Sequence, residues 1–286
     1  MTEAAWSSEA FTAGDGYRWR YRRYAAVGPA RADVVGLHGI QSHAGWYEHS
    51  CTRLAAAGYE VSFLDRRGSG VNEPARGDAP GFRRLLDDLA EFLRDRRARN
   101  GGRRVILLAV SWGGKLAAAL PRRHPGLFDA LALLCPGFRP KVAPPLRRRL
   151  AILWARLLTP SRTFPIPLDD PELFTATPRW LEFLRRDPLA LHRATARFLV
   201  ASVRLDAYLR RAPRHVTAPT LLLLAGRDRI IDNARTRAFV ERFAGPKEII
   251  EYPEAHHTLE FEPDPERFLG DLLGWLGRVI RLRPSM

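Results

Sequence analysis

The chain has 286 residues and a net charge of +15. It contains no run of about 18 uninterrupted apolar residues, which argues against a simple membrane-spanning helix, and it is long enough to bury a large core. Only three of its 46 basic residues are lysine, leaving 43 arginines spread along the whole length. No Arg-Arg pair is interleaved with aromatic residues as in a nucleic-acid-binding module, so the charge reads as a compositional bias. That bias is compatible with anionic surfaces but not with a specific nucleic-acid partner.

Cys51 and Cys135 are the only cysteines. They lie far apart and outside any metal-ligand spacing, which predicts reduced thiols and a cytoplasmic location. The first residues show no basic stretch followed by an apolar one, so no signal peptide is expected.

In chain order, Tyr17–Tyr24 alternates aromatic and arginine residues, as a half-exposed strand does. Asp33–Leu37 is a short strand running into His38-Gly39-Ile40. A helix over Trp46–Ala57 is stopped by Gly58, and the strand Tyr59–Leu64 ends in Asp65-Arg66-Arg67-Gly68-Ser69-Gly70. Apolar residues at 82, 85, 86, 89, 92 and 93 predict an amphipathic helix over Phe82–Arg97.

The apolar run Val105–Val110 then stops at Ser111, with Gly113 and Gly114 close behind and an alanine-rich helix over 113–123. Strand, serine, glycines and helix form the layout of a nucleophile elbow. The turn is so tight that only small side chains fit beside the serine. The serine is then held out at the carboxyl end of the sheet, where the helix start can stabilise an oxyanion. The usual Gly-x-Ser-x-Gly carries Ala109 in place of its first glycine. Serine is also an ordinary helix N-cap, so the partner residues must decide.

A strand over Ala130–Cys135 follows. From Pro136 to about Arg214 prolines and arginines become dense and the apolar residues take helical spacing. Alternation resumes with the strand Thr220–Ala225, a helix from about Asn233, the strand Glu248–Tyr252 and a helix over Pro265–Ile280. The expected architecture is α/β, a mostly parallel sheet with helices on both faces. Its core comprises residues 1–135 and 215–286, interrupted by a helical insertion over 136–214.

An activated serine needs a base, and the base needs an orienting carboxylate. In open α/β sheets such groups sit beyond the carboxyl ends of strands. Asp228 follows the strand ending at Ala225, and His256 and His257 follow the one ending at Tyr252. The order Ser…Asp…His is that of the hydrolase sheet. His38-Gly39-Ile40 lies where the second oxyanion amide is expected, so the donors would be the N–H groups of Ile40 and Trp112.

These segments resemble the α/β-hydrolases of the monoacylglycerol lipase, lysophospholipase and serine-aminopeptidase-like branch. The likeness runs through His38-Gly39-Ile40 to Trp46-Tyr47, Asp65 to Gly70, Val110-Ser111-Trp112-Gly113-Gly114, Gly226-Arg227-Asp228 and Tyr252 to Leu259. It implies the α/β-hydrolase fold with residues 136–214 as a helical cap. It also implies Ser111 as nucleophile, Asp228 as triad acid and, of the two histidines, His257 as base. His38, Gly39 and Gly113 are expected in support, with His38 ordering the oxyanion loop. Asp65 and Asp232 are alternative acids, and His38, His43 and His49 match no common zinc spacing, so neither metal nor cofactor is expected.

Within the insertion, Leu146, Leu150, Leu153, Trp154, Leu157 and Leu158 share one helix face while Arg147, Arg148, Arg149 and Arg156 project elsewhere. The favoured expectation is a cap helix packing that face over the pocket. The other is a basic amphipathic helix in peripheral contact with an anionic membrane surface. The implied activity is hydrolysis of aliphatic carboxylic esters such as monoacylglycerols or lysophospholipids through an acyl-enzyme. A peptidase or acyltransferase on the same triad, a catalytically silent binding module and a basic anion-surface binder are the alternatives.

Overall fold

The computed structural model describes residues 6–281. Strands β1 (Trp6–Thr12), β2 (Arg18–Tyr24) and β3 (Ala32–Leu37) lead to α1 (Glu48–Ala56), β4 (Tyr59–Leu64) and α2 (Phe82–Arg99). Next come β5 (Val105–Val110), α3 (Trp112–Ala119) and β6 (Ala130–Leu134). A long excursion then carries α4 (Leu146–Leu158), β7 (Thr163–Pro165), α5 (Pro178–Arg186), β8 (Arg193–Thr195) and α6 (Ala196–Leu209). The chain returns through β9 (Thr220–Ala225), α7 (Asn233–Val240), β10 (Lys247–Tyr252) and α8 (Glu266–Val279).

Eight strands form one sheet in the order β1-β2-β4-β3-β5-β6-β9-β10. β1 and β2 run antiparallel at one edge, and the other six are mutually parallel. The central strands β3, β5, β6 and β9 are buried at every residue. Their near-continuous apolar sequences, without polar alternation, suit strands covered on both faces. β1 was not anticipated because Trp6-Ser-Ser-Glu-Ala-Phe-Thr12 is an exposed edge strand with no apolar alternation to betray it. β7 and β8 form a separate two-stranded ribbon inside the excursion, also unanticipated, since three residues are too few for a period to show.

The expected packing of the excursion's first helix is corrected. α4 does not turn its leucine stripe toward the pocket. It packs through Ile152 and Ala155 against Phe164, Ala196, Leu199 and Val200. The six stripe residues are between 51% and 76% exposed. The reason lies in the neighbour, because the small Ala196 of α6 admits close approach of the opposite helix face. No helix among the described residues is long and apolar enough to cross a membrane.

A carboxylate in the core ties the end of the sheet to α1. Glu260 is buried and accepts hydrogen bonds from the Ser50 N–H, at 2.9 Å, and from the Ser50 hydroxyl. Burial pushes its carboxyl up to about 7, against the lowering effect of the Ser50 bonds. The folded chain therefore binds the Glu260 proton more tightly than the unfolded chain, so its share of stability is full below the ordinary glutamate range and is lost as pH rises toward 7. Glu260→Gln should remove this slope. Denaturant unfolding at pH 5 and pH 8 should show the variant gaining about 1–3 kcal/mol on the wild type across that interval. An unchanged difference would mean that Glu260 does not titrate there.

Candidate active site

Ser111 joins β5 to α3 at φ 50° and ψ −121°, a conformation that an L side chain keeps only when its surroundings impose it. Its N–H donates to the Leu134 carbonyl at 3.0 Å, and its carbonyl accepts from the N–H groups of Gly114 (3.0 Å) and Gly137 (2.7 Å). A Cβ on Gly113 would lie 2.7 Å from the His38 carbonyl oxygen, so glycine is what lets α3 begin against the loop after β3. Ala109, where the motif has glycine, is buried in β5 opposite Leu37 and Leu133, and its methyl is accommodated there.

The loop after β9 and the loop after β10 bring the other two groups. His257 Nε2 lies 2.9 Å from Ser111 Oγ, and His257 Nδ1 lies 2.6 Å from Asp228 Oδ2. Asp228 Oδ1 accepts from the N–H groups of Ile230 (2.7 Å) and Ile231 (2.9 Å), which fixes the carboxylate. With Nδ1–H donating to Asp228, Nε2 is the acceptor for the serine proton. A hydroxyl, an imidazole and a carboxylate so joined can generate a nucleophile at neutral pH. Asp228 and His257 are buried, while Ser111 is partly open.

The loop after β3 passes Ser111 at contact distance, since a Cβ on Gly39 would lie 3.3 Å from Ser111 Cβ. The Gly39 N–H is taken up by Ser42 Oγ at 2.8 Å. Among the described residues, the N–H groups of Ile40 and Trp112 donate to no protein acceptor. His38 orders this loop. Its Nδ1 donates to the Gly39 carbonyl at 2.7 Å, and its Nε2 accepts from the Arg66 N–H (3.2 Å) and Ser69 Oγ (3.1 Å). Burial, with help from the Arg66 charge, holds its pKa well below the ordinary histidine value, so the ring is neutral.

Arg66 was missed by the sequence reading. Its guanidinium is buried over the rings of Trp112 (4.9 Å) and Phe198 (5.2 Å), and its Nη2 donates to the Ile40 carbonyl at 2.5 Å. Burial lowers its pKa to about 9, which leaves it charged at neutral pH. It has no ion-pair partner among the described residues, and its Nε has no hydrogen-bond partner. Two arginines in succession after β4 were visible, but nothing in the sequence distinguished the one that lies over Trp112 from the one that pairs with Asp15 and Asp88.

The alternative residues are engaged elsewhere. Asp65 accepts from the N–H groups of Ala44 (2.7 Å) and Val71 (3.1 Å), bracing two loops, and Asp232 caps α7 through the Arg235 N–H. His256 turns to Glu262, His43 to Asp187 and His49 to Glu266. Donor atoms of Cys135, Asp228 and His257 lie within 4.8 Å of one another. Burial pushes the Cys135 thiol well above its ordinary pKa, and Asp228 and His257 are already joined to each other.

Six parallel strands with a serine elbow, an acid and a histidine on successive loops at their carboxyl ends define an α/β-hydrolase. Residues 28–264 match the family described as serine aminopeptidase, S33, and the chain belongs to that family. It is 29% identical over 287 residues to the monoacylglycerol lipase of Mycolicibacterium smegmatis, covering 96% of this chain and 99% of that one. It is 26% identical to lysophospholipase L2 of Escherichia coli K12, over 90% of this chain and 83% of the relative. A soluble variant of Saccharomyces cerevisiae monoglyceride lipase superposes with a TM-score of 0.82 at 20% identity, covering 98% and 96% of the two chains.

A fluorophosphonate probe tests the geometry without choosing a substrate. The wild type should label covalently, Ser111→Ala should not label, His257→Ala should label at least a hundredfold more slowly (order of magnitude), and His256→Ala should label as the wild type does. Loss of labelling in His256→Ala alone would reverse the assignment of the base.

Proposed function

We propose that this protein hydrolyses carboxylic esters of aliphatic acids, monoacylglycerols or lysophospholipids, through an acyl-enzyme on Ser111. The observation that carries the proposal is the unbroken chain from Ser111 Oγ through His257 to Asp228, at 2.9 and 2.6 Å. Ser111 Oγ attacks the ester carbonyl as its proton passes to His257 Nε2. The proton then goes to the departing alcohol, and the C–O bond breaks to leave the acyl group on Ser111. A water gives its proton to the same nitrogen and attacks the acyl carbon; the bond to Ser111 Oγ breaks, the acid leaves and the proton returns to Oγ. Asp228 keeps the imidazole in the required tautomer and stabilises the imidazolium. The free amides of Ile40 and Trp112 are the donors for the oxyanion.

Residues 136–214 serve as a cap. Phe174 places its ring 6.1 Å from the His257 imidazole, and Ser202 Oγ accepts from the Trp112 indole at 2.9 Å. The names of the two curated relatives support this substrate class. Arg66 favours an ester over an aminopeptidase substrate, because a buried cation beside the oxyanion loop repels the free α-ammonium group of a peptide.

Release of fatty acid from monoacylglycerol should be measurable with the purified protein. Asp228→Asn should lower kcat roughly a thousandfold or more while KM changes little, and Asp232→Asn should keep most of the activity. Faster turnover of an aminoacyl arylamide than of any ester would replace this reading with a peptidase.

A further inference from the structure

Three arginine or lysine side chains are buried among the described residues, Arg66, Arg67 and Lys115. Two of them meet a carboxylate: Arg67 pairs with Asp15 and Asp88, and Lys115 with Asp206 at 2.7 Å. Arg66 meets none. The Asp65 charge acts on it only through space, and the Asp65 oxygens are taken up by the Ala44 and Val71 amides. A buried ion without a partner is strongly destabilising. Holding the Ile40 carbonyl does not call for one, since a neutral N–H satisfies a carbonyl as well.

The charge stands where the reaction makes its own. Arg66 Nη2 donates to the Ile40 carbonyl at 2.5 Å and reaches the Gly39 carbonyl at 3.4 Å. The Gly39 carbonyl and the Ile40 N–H belong to one peptide unit, so the N–H offered to an oxyanion is polarised by a cation at its other end. Donation from His38 Nδ1 to the same carbonyl, at 2.7 Å, acts in the same sense. The guanidinium also lies over the ring of Trp112, whose N–H is the second donor. That ring is held by Ser202 Oγ and by Phe198, with centroids 5.4 Å apart. One cation therefore backs both amides.

Given an acyl-enzyme on Ser111, on which the inference rests, we propose that Arg66 is a positioning residue for the oxyanion: it holds both donor amides and finds its counter-charge only in the tetrahedral transition state. As Ser111 Oγ bonds to the ester carbon, its proton passes to His257 Nε2 and the carbonyl π pair moves onto oxygen. The new imidazolium faces Asp228, and the new oxyanion faces amides backed by Arg66. Each charge that forms thus meets one already fixed in the fold. A neutral ester gains nothing comparable in the ground state, so the benefit falls on kcat and not on KM.

The test compares Arg66→Met, Arg66→Gln and Arg66→Lys with the wild type on a soluble aliphatic ester. Sites are counted by fluorophosphonate titration, so that any misfolded fraction drops out of kcat. Met keeps the packing against both rings and Gln keeps a hydrogen-bond donor, but neither carries charge. Both should lower kcat roughly tenfold or more, with KM within about twofold of the wild type. Arg66→Lys should be the fastest of the three. An alkyl trifluoromethyl ketone supplies the readout that a merely structural role would not move, because Ser111 adds to its carbonyl and leaves an oxyanion in the same place. Its inhibition constant should rise in the neutral variants by the factor that kcat/KM falls, while that of the matching fatty alcohol, which forms no oxyanion, stays unchanged. Wild-type kcat in a neutral variant, equal weakening of ketone and alcohol, or a Gln variant as fast as the Lys variant would overturn the role of Arg66 and leave the hydrolase reading standing. A wild type that neither labels nor turns over any ester would overturn both.

Discussion

The left-handed backbone of Ser111 is the constraint on which the rest of the site depends. Serine does not take φ 50° freely, and the cost is met by three backbone hydrogen bonds from separate parts of the chain. Leu134 at the end of β6, Gly114 in the first turn of α3 and Gly137 at the start of the excursion each fasten one side of it. The elbow is therefore a product of tertiary structure. It exists only when β6 lies beside β5 in register, with Val110 opposite Leu134. The parallel sheet also delivers Asp228 and His257 from the ends of β9 and β10.

A second dependence runs through the oxyanion loop. The amides of Gly39 and Ile40 can point in different directions because their carbonyls are claimed from behind, by His38 and Arg66. A buried cation without a carboxylate partner is expensive in a folded protein. Here it lies across two aromatic faces and against backbone carbonyls, and so adds positive potential on the side of the loop where negative charge would develop. The neutral His38 ring fits the same arrangement, since a second buried charge there would compete with Arg66.

Most of this was legible in the sequence. The central strands are apolar from end to end because both faces are covered; Ser111 and Asp228 each follow such a run within a few positions, and His257 follows the edge strand β10. Asp228 and His257 could be placed by that rule, although only the likeness to a family separated His257 from His256. What escaped notice had no local signal. β1 is an edge strand whose partner alone makes it a strand, and β7 and β8 are too short to show a period. Arg66 and Arg67 look alike in sequence and are both buried, yet one lies over Trp112 without an acid and the other pairs with Asp15 and Asp88. The α4 stripe was read correctly as one face and placed on the wrong side, because amphipathic spacing identifies a face without saying what lies against it.

The root of the excursion is anchored twice. Gly137 binds the Ser111 carbonyl, and three residues on the chain grips the acid loop: Pro140 bridges to Ile231, the Lys141 N–H donates to Ile230, and Lys141 Nζ donates to the Asp228 carbonyl. Residues 136–141 thus belong mechanically to the hydrolase core even though they open the insertion. Beyond them the excursion still reaches the site, with Phe174 beside His257 and Phe198 under Arg66. A foreign cap grafted after Lys141 would therefore have to supply rings in both places to leave the site as it is.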